Sequence, residues 1–294
     1  MVSINNLRIS CGFCMTQDEA RQQFREIIQC EDSVLALDHA ALLIAAEDYP
    51  NLAIEDYLSQ LDTLAEESRQ RMTETELHHP LDCTTVLAAH LFYEGRFNGN
   101  AGNYYDARNS FLNEVIDRGK GIPITLSVIF IEVAKRLGVE LFGVGMPGHF
   151  IVKYADEGQE VFFDPFNGGK ILTEDDCRQK IEAMYNDQVK FNSSFLQACT
   201  KKEILSRMLQ NLKGVYFNAS DMNKALGVIE RLLLINPDAM IELRDRGLVC
   251  FTLKKYSQAR VDLEAYLKAG PQVEDRDRIK EVLNDLRQRQ ARLN

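Results

Sequence analysis

Between residues 123 and 137 apolar side chains recur at intervals of three and four, so that Leu126, Ile129, Phe130, Val133, Ala134 and Leu137 share one face. Val128 and Ile131 add apolar surface opposite. This period predicts a helix, and one that is apolar on more than one side belongs at the centre of a core. Pro123 suits its first position, where a missing N–H costs nothing, and Gly138 comes after its last turn. Residues 15–75 also read as mostly helical, interrupted at Pro50, with Leu52, Tyr57, Leu58, Leu61, Leu64 and Ala65 on one side of a charged segment. After Gly138 the period changes. Leu141–Val144, Phe150–Tyr154 and Val161–Phe163 form short extended runs separated by Gly-Pro-Gly-type and Asp-Glu-Gly turns, which predicts an antiparallel meander and an α+β fold.

The last third repeats itself. At an offset of 34 residues Leu209 falls on Leu243, Ala225 on Ala259, Ile229 on Leu263 and Pro237 on Pro271. That is the length of a tetratricopeptide repeat, two antiparallel helices closed by a proline. The copies are expected at 206–239 and 240–273, with a capping helix after them over about 273–292 that has Val273, Ile279, Val282 and Leu286 on one face. Tyr216 and Gly247 occupy close-contact positions; Lys213 and Cys250 stand where glycine and tyrosine are usual. Two repeats are few, so the array is expected to lean on the domain before it. The expected organisation is one domain over 1–198 and the repeat array over 199–294.

Charge divides the chain in the same way. Residues 1–200 hold 31 acidic and 16 basic side chains, residues 201–294 hold 13 and 18. An acidic body repels phosphate backbones, which argues against nucleic acid as a partner. No apolar run of membrane-spanning length and no secretory leader is visible, and seven scattered cysteines suit reduced thiols, so a cytoplasmic protein is expected. Cys11 and Cys14 have metal or redox spacing without a second pair, and the segments "GNAGN" and "NGGK" lack the context of a phosphate loop. Neither a metal nor a cofactor is expected.

A loop glycine leading into an apolar helix, then "LG", a strand with Gly-His, and a strand ending in Asp-Pro together resemble the transglutaminase-like, papain-related core. With "YYDARNSFLNEVIDRGKGIPITLS", "PGHF" and the repeats, the chain resembles the bacterial SirB-type family of transglutaminase-like proteins with tetratricopeptide repeats. The resemblance implies a site in which a helix begins with a cysteine, activated by the helix dipole and an imidazole. At that position this chain has Pro123; His149 matches the general base and Asp164 the residue that orients it.

Antiparallel strands can put His149 beside Asp164, but proline has no nucleophilic atom. Ser127 and Thr125, on the same helix, are the substitute hydroxyls, and Cys83 is a thiol without a geometric reason to approach. In "NGNAGNYYDARNS", Asp106 or Asn103 can cap the next helix, and Asn109 is a candidate cap or binding residue. On the inner surface of the repeats, Arg207, Asn211, Arg244 and Phe251 are candidates to hold a peptide, with arginine suited to a carboxylate. The favoured function is a catalytically inactive, protein-binding or regulatory module. A hydrolase or acyltransferase using His149 and Asp164 with a non-standard nucleophile is the alternative, and a purely structural subunit the third.

Overall fold

Four helices begin with the same device. Thr16, Thr73, Thr173 and Thr200 accept the N–H three residues on through their hydroxyls, while Glu19, Glu76, Asp176 and Glu203 take the threonine's own N–H. Each reciprocal pair satisfies two amides that a helix start leaves open. The computed structural model describes residues 15–156, 158–186, 188–270 and 273–293. Its first part is helical: α1 (Gln17–Ile28), α2 (Leu37–Ala46), α3 (Ile54–Arg69), α4 (Glu74–His78) and α5 (Pro80–Ala88), which runs into a π-helical turn at Ala89–Tyr93. Pro50 separates α2 from α3, as expected. A two-residue parallel pair, β1 (Asn98–Gly99) and β2 (Lys120–Gly121), brackets α6 (Leu112–Arg118) and leads into α7 (Pro123–Arg136).

Every residue of α7 from Pro123 to Ala134 is buried, more completely than a single apolar stripe would give. One wall of its surroundings is an antiparallel sheet in the order β3 (Phe142–Val144), β4 (Ile151–Asp156), β5 (Gln159–Asp164), β6 (Lys170–Leu172). Alternation sends Val152, Tyr154 and Phe163 into the main core and Ile151 and Phe162 to the other side, against Cys177 and Ile181 of α8 (Glu174–Met184). β6 and the β1–β2 pair leave no mark in the hydrophobic pattern.

The repeats are α9 (Lys201–Asn218) with α10 (Met222–Ile235), and α11 (Met240–Thr252) with α12 (Tyr256–Lys268); α13 (Val273–Leu293) caps them, burying Ile279, Leu283 and Leu286. Pro271 lies outside the described residues. At Gly247 a Cβ would come within 2.7 Å of Leu263, the close helix approach that its position implied. Lys213, at the equivalent place in the first copy, is accommodated by ion pairs to Glu242 at 2.8 Å and Asp245 at 2.9 Å. Leu205, Met208, Leu209 and Leu212 of α9 belong to the same core as α7, so the short array does share its burial with the preceding elements. No described helix is long and apolar enough to cross a membrane.

One charge is carried into this core by α7. Glu132 is 1% exposed, its carboxylate oxygens have no hydrogen-bond partner of normal geometry among the described residues, and its cations stand off at 3.5 Å (Arg136) and 3.6 Å (Lys135). Burial, and then the charge of Asp38, push its carboxyl up from 4.5 to about 7. Between those values the unfolded chain has lost the proton and the folded one keeps it, so stability falls as pH rises through this window, by about 1.4 kcal/mol per pH unit and about 3 kcal/mol in all. Glu132→Gln is therefore expected to unfold at higher urea than the parent at pH 8, with little difference at pH 4.5. Parallel pH profiles of the two proteins would contradict this.

Candidate functional site

The site is assembled at the start of α7. The chain reaches it through Gly121, where a Cβ would lie 2.9 Å from both Thr125 Oγ1 and Val115 Cγ1, a spacing only glycine fits. Pro123 takes the first helical position. Thr125 Oγ1 donates to the Asn109 carbonyl at 2.7 Å and accepts from Ile122 N at 3.2 Å. Ser127 Oγ donates to the Pro123 carbonyl at 2.8 Å. Both side chains are buried and turned back on the backbone, as helical hydroxyls commonly are.

His149 precedes β4 and Asp164 ends β5, and the antiparallel register that pairs Val152 with Phe163 brings the two together. His149 Nε2 lies 2.9 Å from Asp164 Oδ2. The same oxygen accepts from Lys180 Nζ of α8 at 2.7 Å and from Asn167 Nδ2 at 2.7 Å, and Oδ1 accepts from Asn167 N at 3.3 Å. Burial would raise the Asp164 carboxyl, but His149, Lys180 and Asn167 together reverse this and hold it at about 2. His149 is 7% exposed, and its Nδ1 has no hydrogen-bond partner among the described residues. The backbone before it turns at Gly148 (φ +70°), where a Cβ would be 2.1 Å from Met184 Sδ.

Pro123 and His149 line one small cleft with Tyr104, Ile124, Gly148, Phe150, Arg207 and Asn211. Its volume of about 20 Å³ is room for one water. Arg207 and Asn211 stand one turn apart on α9, on one face. Arg207 Nη2 donates to the carbonyls of Met146 at 3.1 Å and His149 at 2.8 Å, and its guanidinium lies 5.4 Å from the Phe150 ring centre. Burial pulls its pKa down. Tyr104 and His149 both meet the Phe166 ring edge-on, at 6.1 and 6.2 Å.

The sequence candidates thus separate. Pro123, His149 and Asp164 come together, and Arg207 and Asn211 join them, so the face of the first repeat helix that carries two of the candidate peptide-holding residues forms one side of the cleft. Arg244 pairs with Asp245 at 2.8 Å and Asp275 at 3.0 Å, and Phe251 packs within the array beneath Arg289 at 5.6 Å. Asn109 is buried outside the cleft; its Nδ2 donates to the carbonyls of Asn103 at 2.7 Å and Tyr104 at 3.2 Å, fixing the loop that presents Tyr104. Asp106, rather than Asn103, caps the short 3-10 turn Ala107–Asn109. Cys83 is buried with its thiol 3.6 Å from Met72 Sδ. Cys11 and Cys14 lie outside the described residues. Sequence reasoning misses Tyr104, Asn167 and Lys180: Tyr104 comes after a run of loop formers, and Lys180 is one cation on a polar helix, with no pattern pointing to Asp164.

A base held by a carboxylate, next to a helix start, is the frame of a thiol acyl-transfer site. Here the residue at the helix start, lining the same cleft as the imidazole, is a proline. Comparison with known proteins agrees with this frame. Residues 55–210 match the family model for the Transglutaminase-like superfamily, and residues 212–284 that for the tetratricopeptide repeat. A UPF0162 protein of Xylella fastidiosa (strain 9a5c) is 37% identical over 259 residues, covering 87% of this chain and 92% of its own. Protein SirB1 of Salmonella typhimurium is 26% identical, covering 91% of this chain and 96% of its own. UPF0162 protein YchA of Escherichia coli (strain K12) is 25% identical, covering 90% and 94%. With that frame at its centre and repeats behind it, the chain belongs to the transglutaminase-like SirB1/UPF0162 family.

Proposed function

We propose that this protein is catalytically silent and works by binding another protein or peptide, in a regulatory role and in the cytoplasm. The observation that supports silence is the side chain that lines the cleft with His149 at the start of α7. Pro123 offers no atom that can attack a carbonyl, the hydroxyls of Ser127 and Thr125 are turned onto backbone carbonyls, and no described cysteine lines the cleft. What supports binding is the repeat array, a unit that generally mediates protein contacts, whose first helix forms one side of the cleft. The cytoplasmic placement rests on the scattered, odd-numbered cysteines.

A second reading has two observations in its favour. The His149–Asp164 pair is intact and the cleft has room for one water, which a hydrolase without a covalent nucleophile would need. A panel of amide and ester substrates separates the two. The expected result is no turnover above that of a His149→Ala control checked for folding by circular dichroism. Turnover that survives purification and disappears in His149→Ala would establish the hydrolase.

A further inference from the structure

We propose that the cleft between Pro123 and His149 is a receptor for a single carboxylate group carried by a peptide; this rests on the binding reading above and specifies its ligand. The donors come from four separate segments. Ile124, second residue of α7, presents an N–H that a helix start leaves without an intrahelical acceptor, at the positive end of the helix dipole. His149 is 93% buried, since 7% is exposed, and its ring lines the cleft with Nδ1 unpartnered among the described residues while Nε2 is held by Asp164, so Nδ1 joins these donors in the imidazolium form, in which both ring nitrogens carry a proton. The Asn211 amide and the Tyr104 hydroxyl, both lining it, have no hydrogen-bond partner among the described residues.

Charge points the same way. Arg207 reaches the cleft with no carboxylate within ion-pair distance among the described residues; its guanidinium bonds only to two carbonyls there, through Nη2. Asp164, the acid that holds His149, is already paired with Lys180 at 2.7 Å. A partly buried, uncompensated guanidinium beside convergent N–H groups favours an anion. The volume of about 20 Å³ has room for one oxygen, such as one end of a planar carboxylate. At the mouth stands Tyr104, edge-on to both Tyr105 at 5.4 Å and Phe166 at 6.1 Å, which offers apolar surface to the rest of a peptide.

The test uses the full chain with four probes: N-acetyl-Ala-Ala as the free acid, its C-terminal amide, N-acetyl-Ala-Glu amide, and acetate. Binding is read from the ring signals of His149 in carbon-13 NMR spectra and by calorimetry. The free acid should shift the His149 signals and its amide should not; the glutamyl amide tells whether a side-chain carboxylate serves as well as a terminal one. Acetate shifting the ring as strongly as the peptides at equal concentration would overturn the peptide part of the assignment. Arg207→Gln should weaken the acid's binding on the order of tenfold or more, the usual share of a charge-assisted bond. Because Arg207 also holds two carbonyls, Asn211→Ala serves as the second variant and should weaken it severalfold. Equal binding of acid and amide, or no shift with either acid at 10 mM, overturns the carboxylate assignment while leaving catalytic silence intact. Conversion of the amide probe to free acid in the same spectra would instead overturn silence.

Discussion

Pro123→Cys should acquire a thiol that iodoacetamide alkylates at pH 6 on the order of 100-fold faster than any thiol of the parent protein. The new Sγ would stand at the first position of α7, in the cleft that already holds the His149 ring. A thiol at a helix N-terminus beside an imidazole loses its proton well below the ordinary value of about 8.5, commonly by two units or more. Two and a half units raise the thiolate fraction at pH 6 by about two orders of magnitude, and the thiolate is the species that reacts. Burial pushes the Cys83, Cys177, Cys199 and Cys250 thiols up, so among the described cysteines the exposed Cys30 sets the background against which the new thiol is compared. The substitution is mild, because the restored N–H sits where a helix has no acceptor to offer and proline contributes mainly by restricting the unfolded chain, worth about 1 kcal/mol or less. Adding His149→Ala should remove most of the acceleration. Peptide mapping of the alkylated position, run beside the parent, decides the matter. If the introduced thiol labels no faster than the parent's own, or at a rate that ignores His149, the imidazole does not address this position.

How far the sequence reveals this arrangement depends on the range of the interaction that fixes each part. The period of α7 and the offset of 34 are written along the chain because burial repeats with the helix. The α7 boundaries are legible too, with Leu137 as C-cap and Gly138 at φ +83°. The meander shows its three apolar strands but hides β6, whose Lys170 and Ile171 are exposed and give no alternation. β1 and β2, two residues each, are too short for any period. Within the site, Pro123, His149 and Asp164 are legible through resemblance to a family motif, and the antiparallel turn between His149 and Asp164 supplies a local reason for their meeting. Arg207 and Asn211 are visible as neighbours on one face, yet the surface that face meets depends on α9 burying Leu205, Met208 and Leu209 in the core around α7. No local pattern encodes that docking. Lys180 is hidden for the same reason, since α8 brings it to Asp164 only by packing Cys177 and Ile181 on the outer face of the sheet.

Asp164→Asn should cost about 3–5 kcal/mol of stability at pH 7, the usual consequence of removing one partner from a buried charge pair. The carboxylate is fully buried and accepts from three side chains, His149, Lys180 and Asn167, each donating through nitrogen. An amide of the same shape would leave the Lys180 charge without its counter-ion and would turn a donor of its own toward donors. The parent's acid response provides an independent measure. The Asp164 carboxyl is held at about 2 in the folded chain against an ordinary 3.8, so its stabilisation is complete above pH 4 and is lost as pH falls through 2. At about 1.4 kcal/mol per pH unit that is about 2.5 kcal/mol, and Asp164→Asn should lack this part of the acid sensitivity. Urea unfolding of both proteins at pH 7, 4 and 2.5 measures the two effects together: the gap between them should be widest at pH 7 and narrow toward pH 2.5. If the gap is small at neutral pH, or constant across the range, the carboxylate is not the charge on which His149 and Lys180 depend. The imidazole would then owe its orientation to Arg207, the Met146 turn and the Phe166 ring alone.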